Sequence, residues 1–311
     1  MHQPVMLEAV LKLLQVQENG CYVDGTLGSG GHAEAVLSRL GPTGRLIGID
    51  RDGDALDRCR ARLQRFGDQF VPLRGDYREM ESLVREMGID AVDGVLMDFG
   101  VSSEQLDTPE RGFSFRAGGP LDMRMDQRAA LTAAEIVNEW DEKSLADLFF
   151  HYGEERGARR AARAIVMRRE KEPFGDTLDL GDALEKALGR RHGKAGGGKH
   201  PATRCFQALR IAVNDELEGV DAGLNAALGL LRKGGRMAVI SFHSLEDRKV
   251  KHFFRAHAGR EVSLMAGGSR WEGALPKVRL VTRKAVEATA EEREQNPRSR
   301  SARLRVAERL I

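Results

Sequence analysis

One stretch constrains this chain more than any other: Tyr22-Val-Asp-Gly-Thr-Leu-Gly-Ser-Gly-Gly-His32. Tyr22 and Val23 end a short apolar run that reads as a strand, and Asp24 stands at its carboxyl end. Gly25, Gly28, Gly30 and Gly31 then allow a tight turn in which no Cβ holds the backbone away from a bound molecule. From His32 the period changes. Ala33, Val36, Leu37 and Leu40 recur at helical spacing. A strand, a glycine loop and a helix in that order predict the entry to an open α/β sheet, where ligands lie beyond the carboxyl ends of the strands.

The loop departs from the dinucleotide fingerprint. Gly28 and Gly30 give G-x-G, but Ala33 occupies the place of the third glycine. Asp24, just before the loop, would repel a pyrophosphate, which such a loop normally receives on bare amides. It suits a cationic ligand carrying an amino group, such as S-adenosylmethionine. A glycine-rich turn with no ligand is the plain alternative, since one such loop is a weak signal.

The strand-then-helix rhythm repeats. Residues 5–14 read as an amphipathic helix, followed by the strand before the loop. A second strand, Arg45–Ile49, is closed by Asp50 about 20 residues past the loop, where an acid accepts hydrogen bonds from ribose hydroxyls. Asp52 and Asp54 remain available to cap the next helix. A third strand, Gln69–Leu73, leads to Asp76 and Tyr77, which read either as an adenine contact or as a surface turn. A fourth, Val92–Asp98, again ends in an acid, and Gly100, Ser102, Ser103 and Gln105 follow it.

The rhythm then stops. Residues 111–125 form a loop in which Phe113, Phe115, Arg111, Arg116 and Arg124 either stack on bases and hold phosphates or pin the loop through two buried rings. Thr132 to Leu188 reads as helix throughout, opened by a Thr132–Glu135 capping box, and residues 189–204 are glycine-rich and basic. Helices over 205–217 and 220–231 and a Lys233-Gly-Gly235 helix stop return the chain to strand at Arg236–Phe242. Val262–Met265 and Val278–Thr282 read as the last strands, with a basic tail after them. The prediction is an α/β sheet domain, residues 1–104 and 211–311, interrupted by an all-helical lobe over 105–210.

Bulk properties narrow the class. With 311 residues, 41% hydrophobic and 31% charged, the composition is that of a soluble globular protein. There is no long apolar run to span a membrane and no signal-peptide pattern. Cys21, Cys59 and Cys205 are odd in number and far apart, which fits reduced thiols in the cytoplasm and neither a disulfide framework nor a metal site. The net charge of +2 is unevenly spread, with +6 on residues 151–210, +5 on 270–311 and −9 on the rest. Two basic segments on an acidic body point to a polyanionic partner or to solvated helix faces.

Six motifs along the chain resemble the bacterial 16S ribosomal RNA cytosine-N4 methyltransferase family. They are Asp-Gly-Thr-Leu-Gly-Ser-Gly-Gly-His32, Gly-Pro-Leu-Asp-Met-Arg-Met125, His-Pro-Ala-Thr-Arg204, Phe-Gln-Ala-Leu-Arg-Ile211, Ser-Phe-His-Ser-Leu-Glu-Asp-Arg248 and Asn-Pro-Arg-Ser-Arg-Ser301. The resemblance implies a class I, Rossmann-like methyltransferase sheet and S-adenosylmethionine as donor. It implies a cytidine in the decoding region of 16S rRNA as acceptor, within the small ribosomal subunit, and a helical lobe that helps bind RNA. It leaves the oligomeric state open. The cofactor contacts it implies fall on Gly30, Gly31, His32, Asp50, Tyr77, Asp98 and Gln105, to which the charge argument adds Asp24. Arg204, Arg210, His243 and Arg248 are the candidate RNA contacts. Tyr77 stands where the family commonly has phenylalanine, Phe99 where leucine is usual, and Cys205 where a threonine is expected.

The exocyclic amine of cytidine is a poor nucleophile, whereas a sulfonium methyl is strongly activated. Catalysis of this kind is chiefly alignment and acceptance of a hydrogen bond from the amine, and Asp98 is the candidate catalytic residue. Methylation at carbon 5 would need a cysteine nucleophile in a suitable setting, and none of the three has one. A nicotinamide-dependent oxidoreductase shares the sheet but not the acid before the loop. A DNA cytosine-N4 methyltransferase would carry an Asp-Pro-Pro-Tyr type motif where Asp98-Phe-Gly-Val stands. A binding protein without activity would have lost Asp24, Asp50 and Asp98.

Overall fold

Central strands whose successive residues are all apolar must be covered on both faces, because side chains alternate across the sheet. The computed structural model of the protein, which describes residues 3–189, 200–263, 268–272 and 275–311, shows this arrangement. The chain forms two units, residues 1–100 with 217–311, and residues 101–216. The inserted unit therefore starts four residues before and ends six residues after the 105–210 expected from the sequence.

The first unit opens with α1 (Leu7–Leu14), β1 (Cys21–Asp24), α2 (Gly31–Leu37), β2 (Arg45–Asp50), α3 (Gly53–Leu63), β3 (Phe70–Arg74), α4 (Met80–Glu86) and β4 (Val92–Asp98). Asp52 caps α3 by accepting from the Asp54 amide, which leaves Asp50 for other work. The inserted unit is helical: α5 (Ser103–Asp107), α6 (Ala133–Glu139), α7 (Glu142–His151), α8 (Ala158–Arg169), α9 (Thr177–Leu188) and α10 (Thr203–Asn214). The capping box of Thr132 and Glu135 is present at α6. Phe149, Ile165, Leu180, Leu184 and Leu209 centre its core. The first unit resumes with α11 (Glu216–Leu230), β5 (Leu231–Ser241), α12 (Ser244–Ala258), β6 (Arg260–Ser263), β7 (Ser269–Glu272), β8 (Val278–Leu280), β9 (Val286–Glu287), α13 (Ala290–Gln295) and β10 (Arg303–Arg309).

The main sheet runs β3-β2-β1-β4-β5-β10-β8, with β9 paired to β10. Strands β1 to β5 are parallel, and β10 lies antiparallel against β5, Leu304 opposite Ile240 and Val306 opposite Ala238. Tyr22, Leu46, Leu96, Ile240, Leu304 and Val306 face the layer of α1, α2 and α3. Val23, Ile47, Val95, Met97, Val239 and Ala307 face α4, α11 and α12. The chain winds outward from β1 through β2 to β3, then returns to place β4 on the other side of β1. This reversal opens the crevice at the carboxyl ends of β1 and β4.

Three expectations change. The segment read as a basic tail contains β10, whose apolar residues are buried while Arg303 is exposed and Arg305 pairs with Asp247 at 2.7 and 3.0 Å. The strand expected over Val262–Met265 is β6, which pairs only with β7 in a separate hairpin, and residues 264 and 265 lie outside the described residues. Lys233-Gly-Gly235 does not stop a helix. It lies within β5, where Gly234 takes a φ of 81° next to a register shift against β4. Most of the glycine-rich stretch 189–204 lies outside the described residues.

Because Leu304 is fully buried in β10, Leu304→Ala should cost about 2–5 kcal/mol, the usual range for opening such a cavity. Urea unfolding of the two proteins measures the difference.

Candidate cofactor site at the ends of the central strands

The glycine loop leaves β1 through a few backbone contacts. The Gly25 amide donates to Leu96 O at 2.9 Å and the Leu27 amide to Ile49 O at 3.1 Å, so the loop is sewn to both neighbouring strands. Gly28 and Gly30 take left-handed φ values of 51° and 75°, which only glycine adopts freely. A Cβ on Gly30 would also lie 2.8 Å from Cys59 Sγ. The glycine there is demanded by backbone conformation and by packing beneath the loop.

Each of β1, β2 and β4 ends in an aspartate. Asp24 is 2% exposed and accepts from the Thr26 amide at 3.2 Å. Burial, partly offset by that hydrogen bond and reinforced by the charge of Asp50, lifts its pKa from 3.8 to about 7. Asp50 accepts from the Gly28 amide at 2.8 Å and from the Asp52 amide at 2.9 Å. Burial raises its pKa too, against those two bonds. A carboxylate has about four acceptor sites, so Asp50 retains capacity for two hydroxyls.

Asp98 is the most strained electrostatically. Its amide donates to Thr26 Oγ1 at 2.6 Å. Its Oδ1 is buried with no hydrogen-bond partner, while 23% of the side chain remains open. Burial first, then the charges of Asp24 and Glu246, push its carboxyl well above the ordinary value. His32 is buried and donates from Nε2 to Val5 O at 2.9 Å, the carbonyl being able only to accept. Burial lowers its pKa to about 4, so the ring is neutral and presents the Nδ1 lone pair 3.7 Å from Asp98 Oδ2. That distance is too long for a hydrogen bond.

Asp24, His32, Asp50 and Asp98 are thus gathered around one loop, with Gly30 and Gly31 in it. Tyr77 stands beyond β3, its ring 5.5 Å from Phe99 and packed over α11, where only glycine fits: a Cβ on Gly223 would sit 2.4 Å from the ring and one on Gly219 2.6 Å from its hydroxyl. Gln105 belongs to the inserted unit. It closes the capping box of α5, its Oε1 accepting from the Ser102 amide at 3.0 Å. The sequence reading missed Thr26 and Glu246. Glu246 is 1% exposed and accepts from the Phe242 amide at 2.9 Å. Its place three residues after an N-cap was the available signal.

The RNA candidates separate. Arg210 is largely buried in a two-pronged bridge to Glu216, both contacts 2.8 Å. His243 caps α12 with Nδ1 accepting from the Glu246 amide at 3.4 Å, and its Nε2 lies 3.1 Å from Glu246 Oε1. Arg204 is 41% exposed and donates to Glu154 O at 2.8 Å. Arg248 is exposed. In the loop over 111–125, Phe113 is buried, and Arg111 is buried as it donates to Arg124 O and Met125 O. That settles those two residues as pins of the loop.

A profile of the MraW methylase family matches residues 1–310. The chain belongs to this family. The ribosomal RNA small subunit methyltransferase H of Carboxydothermus hydrogenoformans is 48% identical to it over 309 residues, covering 99% of this chain and 98% of the relative. That of Geobacter sulfurreducens is 50% identical, covering 99% of each. That of Heliobacterium mobile is 46% identical, again covering 99% of each. As an MraW methylase family member the protein is a methyltransferase that uses S-adenosylmethionine. The residues fit that donor. Buried carboxylates forced toward neutrality by burial and by one another, one with an orphaned oxygen, recover their charge most readily beside a cation.

The sign of the pH dependence follows. Asp24 holds a proton below about pH 7 in the free protein. Cofactor affinity should therefore rise from pH 5 to 8 with proton release, seen by calorimetry in buffers of different protonation enthalpy. Asp24→Asn should flatten that rise. The raised pKa also makes this group's contribution to the stability of the free protein greatest below pH 4 and lost as pH climbs through 7, so Asp24→Asn should gain in melting temperature at pH 8. Separately, Arg210→Ala strands the buried Glu216 carboxylate and should cost about 3 kcal/mol on urea unfolding.

Proposed function

We propose that the protein transfers the methyl group of S-adenosylmethionine to the exocyclic N4 amine of a cytidine in the decoding region of 16S ribosomal RNA, in the cytoplasm and on the small ribosomal subunit. The observation that carries the reading is the set of three aspartates ending β1, β2 and β4 in a chain matched from end to end by its family. Its relatives are named for methylation of small-subunit ribosomal RNA.

When bound, the donor supplies an electrophilic sulfonium methyl group. Asp50 would accept from the ribose, Asp24 and Asp98 would face the positive charge, Gly30 and Gly31 would bring backbone close, and Tyr77 would add its aromatic face. Asp98 has two tasks open to it, holding the amino-acid end of the donor or accepting from the cytidine amine, and its orphaned Oδ1 is the group that performs one of them. The amine needs no strong base before attack, since the proton it must lose becomes acidic as the new N–C bond forms. Alignment is the larger part of the work.

The thiols support amine transfer over carbon-5 chemistry. Cys59 is buried under the loop with Sγ donating to Gly28 O at 3.2 Å, and its pKa is pushed up to about 12. Cys21 is raised as well, first by burial and then by Asp93. A thiol so protonated is a poor nucleophile. The inserted unit, with arginines spread along α8, is the part that binds RNA.

The test is transfer of a labelled methyl group to small subunits lacking the modification, with the nucleoside identified by mass. N4-methylcytidine in 16S rRNA is the expected product. Label in naked RNA or DNA alone would replace the substrate, and 5-methylcytidine would replace the chemistry. Asp98→Asn should lower the transfer rate at least a hundredfold, about 2.7 kcal/mol of barrier. Normal turnover in that variant would remove Asp98 from the mechanism.

A further inference from the structure

We propose that a cleft between α7 and the start of α8 in the inserted unit is a subsite for single-stranded RNA, with a base stacked on Phe150 and the neighbouring phosphates held by Arg156, Arg159 and Arg160. This rests on the RNA reading above and adds residues to it.

Helix α7 turns Leu145, Leu148 and Phe149 into the core, which places Phe150 on its outer face, 59% exposed. One exposed apolar residue means little by itself. Here it coincides with three other features. Phe150 meets the ring of His151 edge-on at 5.2 Å and 82°, which holds it as a platform. Together they line a cleft of about 730 Å³ whose apolar wall includes Ala158 and Leu188. That volume is in the usual range for a site binding a small organic molecule. The guanidinium groups of Arg156, Arg159 and Arg160 also line it, are exposed, and among the described residues make no salt bridge or hydrogen bond.

Those arginines stand at the wrong end of their helix for stability. Arg159 and Arg160 occupy the first turn of α8, which has no acidic residue and no side-chain cap. Cations there oppose the helix dipole, whose positive end points the same way. The two carboxylates of the lining are engaged elsewhere. Asp147 bonds Lys143 at 2.7 Å, and buried Glu155 accepts from the Gly157 amide at 2.7 Å. A chain of phosphates relieves this excess of positive charge, and an unstacked base uses the aromatic face. A duplex offers no free base face, and an acidic peptide would use the arginines but not the ring. Stacking beside free cations is how single strands are held.

The experiment follows the binding of a fluorescein-labelled single-stranded RNA dodecamer to the full chain by anisotropy over a range of potassium chloride concentrations. Phe150→Ala should weaken binding roughly tenfold at fixed salt, and Phe150→Trp should restore it. Arg159→Gln and Arg160→Gln should each flatten the slope of log affinity against log salt by about 0.7. Urea unfolding and far-ultraviolet circular dichroism should stay unchanged in all four, which shows that the inserted unit folds, and cofactor affinity should stay unchanged as well. Unchanged RNA affinity in Phe150→Ala would overturn the subsite, as would a poly-glutamate peptide competing as well as RNA. Normal N4-methylcytidine formation by the unaltered protein alongside that result would leave the function standing. Loss of RNA binding in Phe150→Ala in a protein that makes no N4-methylcytidine would do the reverse.

Discussion

The first unit is organised around an electrostatic conflict. Three aspartates end adjacent parallel strands, and a fourth acid, Glu246, is buried close enough to raise the pKa of Asp98. Folding brings these groups together at a cost, because burial disfavours the charged forms of Asp24, Asp50 and Asp98 and raises the pKa of each. The loop amides partly meet the demand, through Thr26 to Asp24 and Gly28 to Asp50. What remains is a preference for an incoming positive charge. His32 does not answer it, since burial keeps that ring neutral. On the proposed reading the site is tuned to the charge of its donor before the donor arrives.

The sheet can carry this conflict because its strands are held elsewhere. Their apolar residues alternate between two buried layers, and the aspartates sit where β1, β2 and β4 run out of that packing. The order of strands then does the rest. With β1 between β2 and β4, the acids of all three strands lie at one edge of the sheet, and the glycine loop is anchored to Leu96 and Ile49 on either side. Rigid elements set the positions of the functional groups to a degree that a free loop would not.

Much of this was legible from residues alone. The strands β1, β2 and β4 are apolar runs closed by an acid, and each pattern is unambiguous over a few residues. The site acids stand out because they recur at the same place in successive units. Strand β10 was hidden because Arg303, Arg305 and Arg309 dominate its composition. Its period of two, with Leu304 and Val306 between the arginines, is the signal that composition obscures. The alternatives for Arg111 and Phe113 could not be decided from sequence, since burial of an arginine depends on carbonyls supplied by residues thirteen or fourteen positions away. Arg210 and His243 sit in strongly patterned motifs, yet their side chains are tied to Glu216 and Glu246. A motif marks that a residue matters and is silent on whether it matters by contact or by support.

The position of β10 has a consequence for the order of events during synthesis. It lies between β5 and β8 in the sheet, yet it is made after every other strand. The nascent chain must therefore hold β5 with one edge unpaired while the rest is translated. The amino-terminal segment waits as well, since the Met6 amide bonds Glu292 and Asn296 bonds Gln3 O. The inserted unit has its own core and is complete long before. The first unit therefore cannot close until segments far apart in the sequence have paired, and Val5, whose carbonyl receives the His32 ring, lies in the earlier of them.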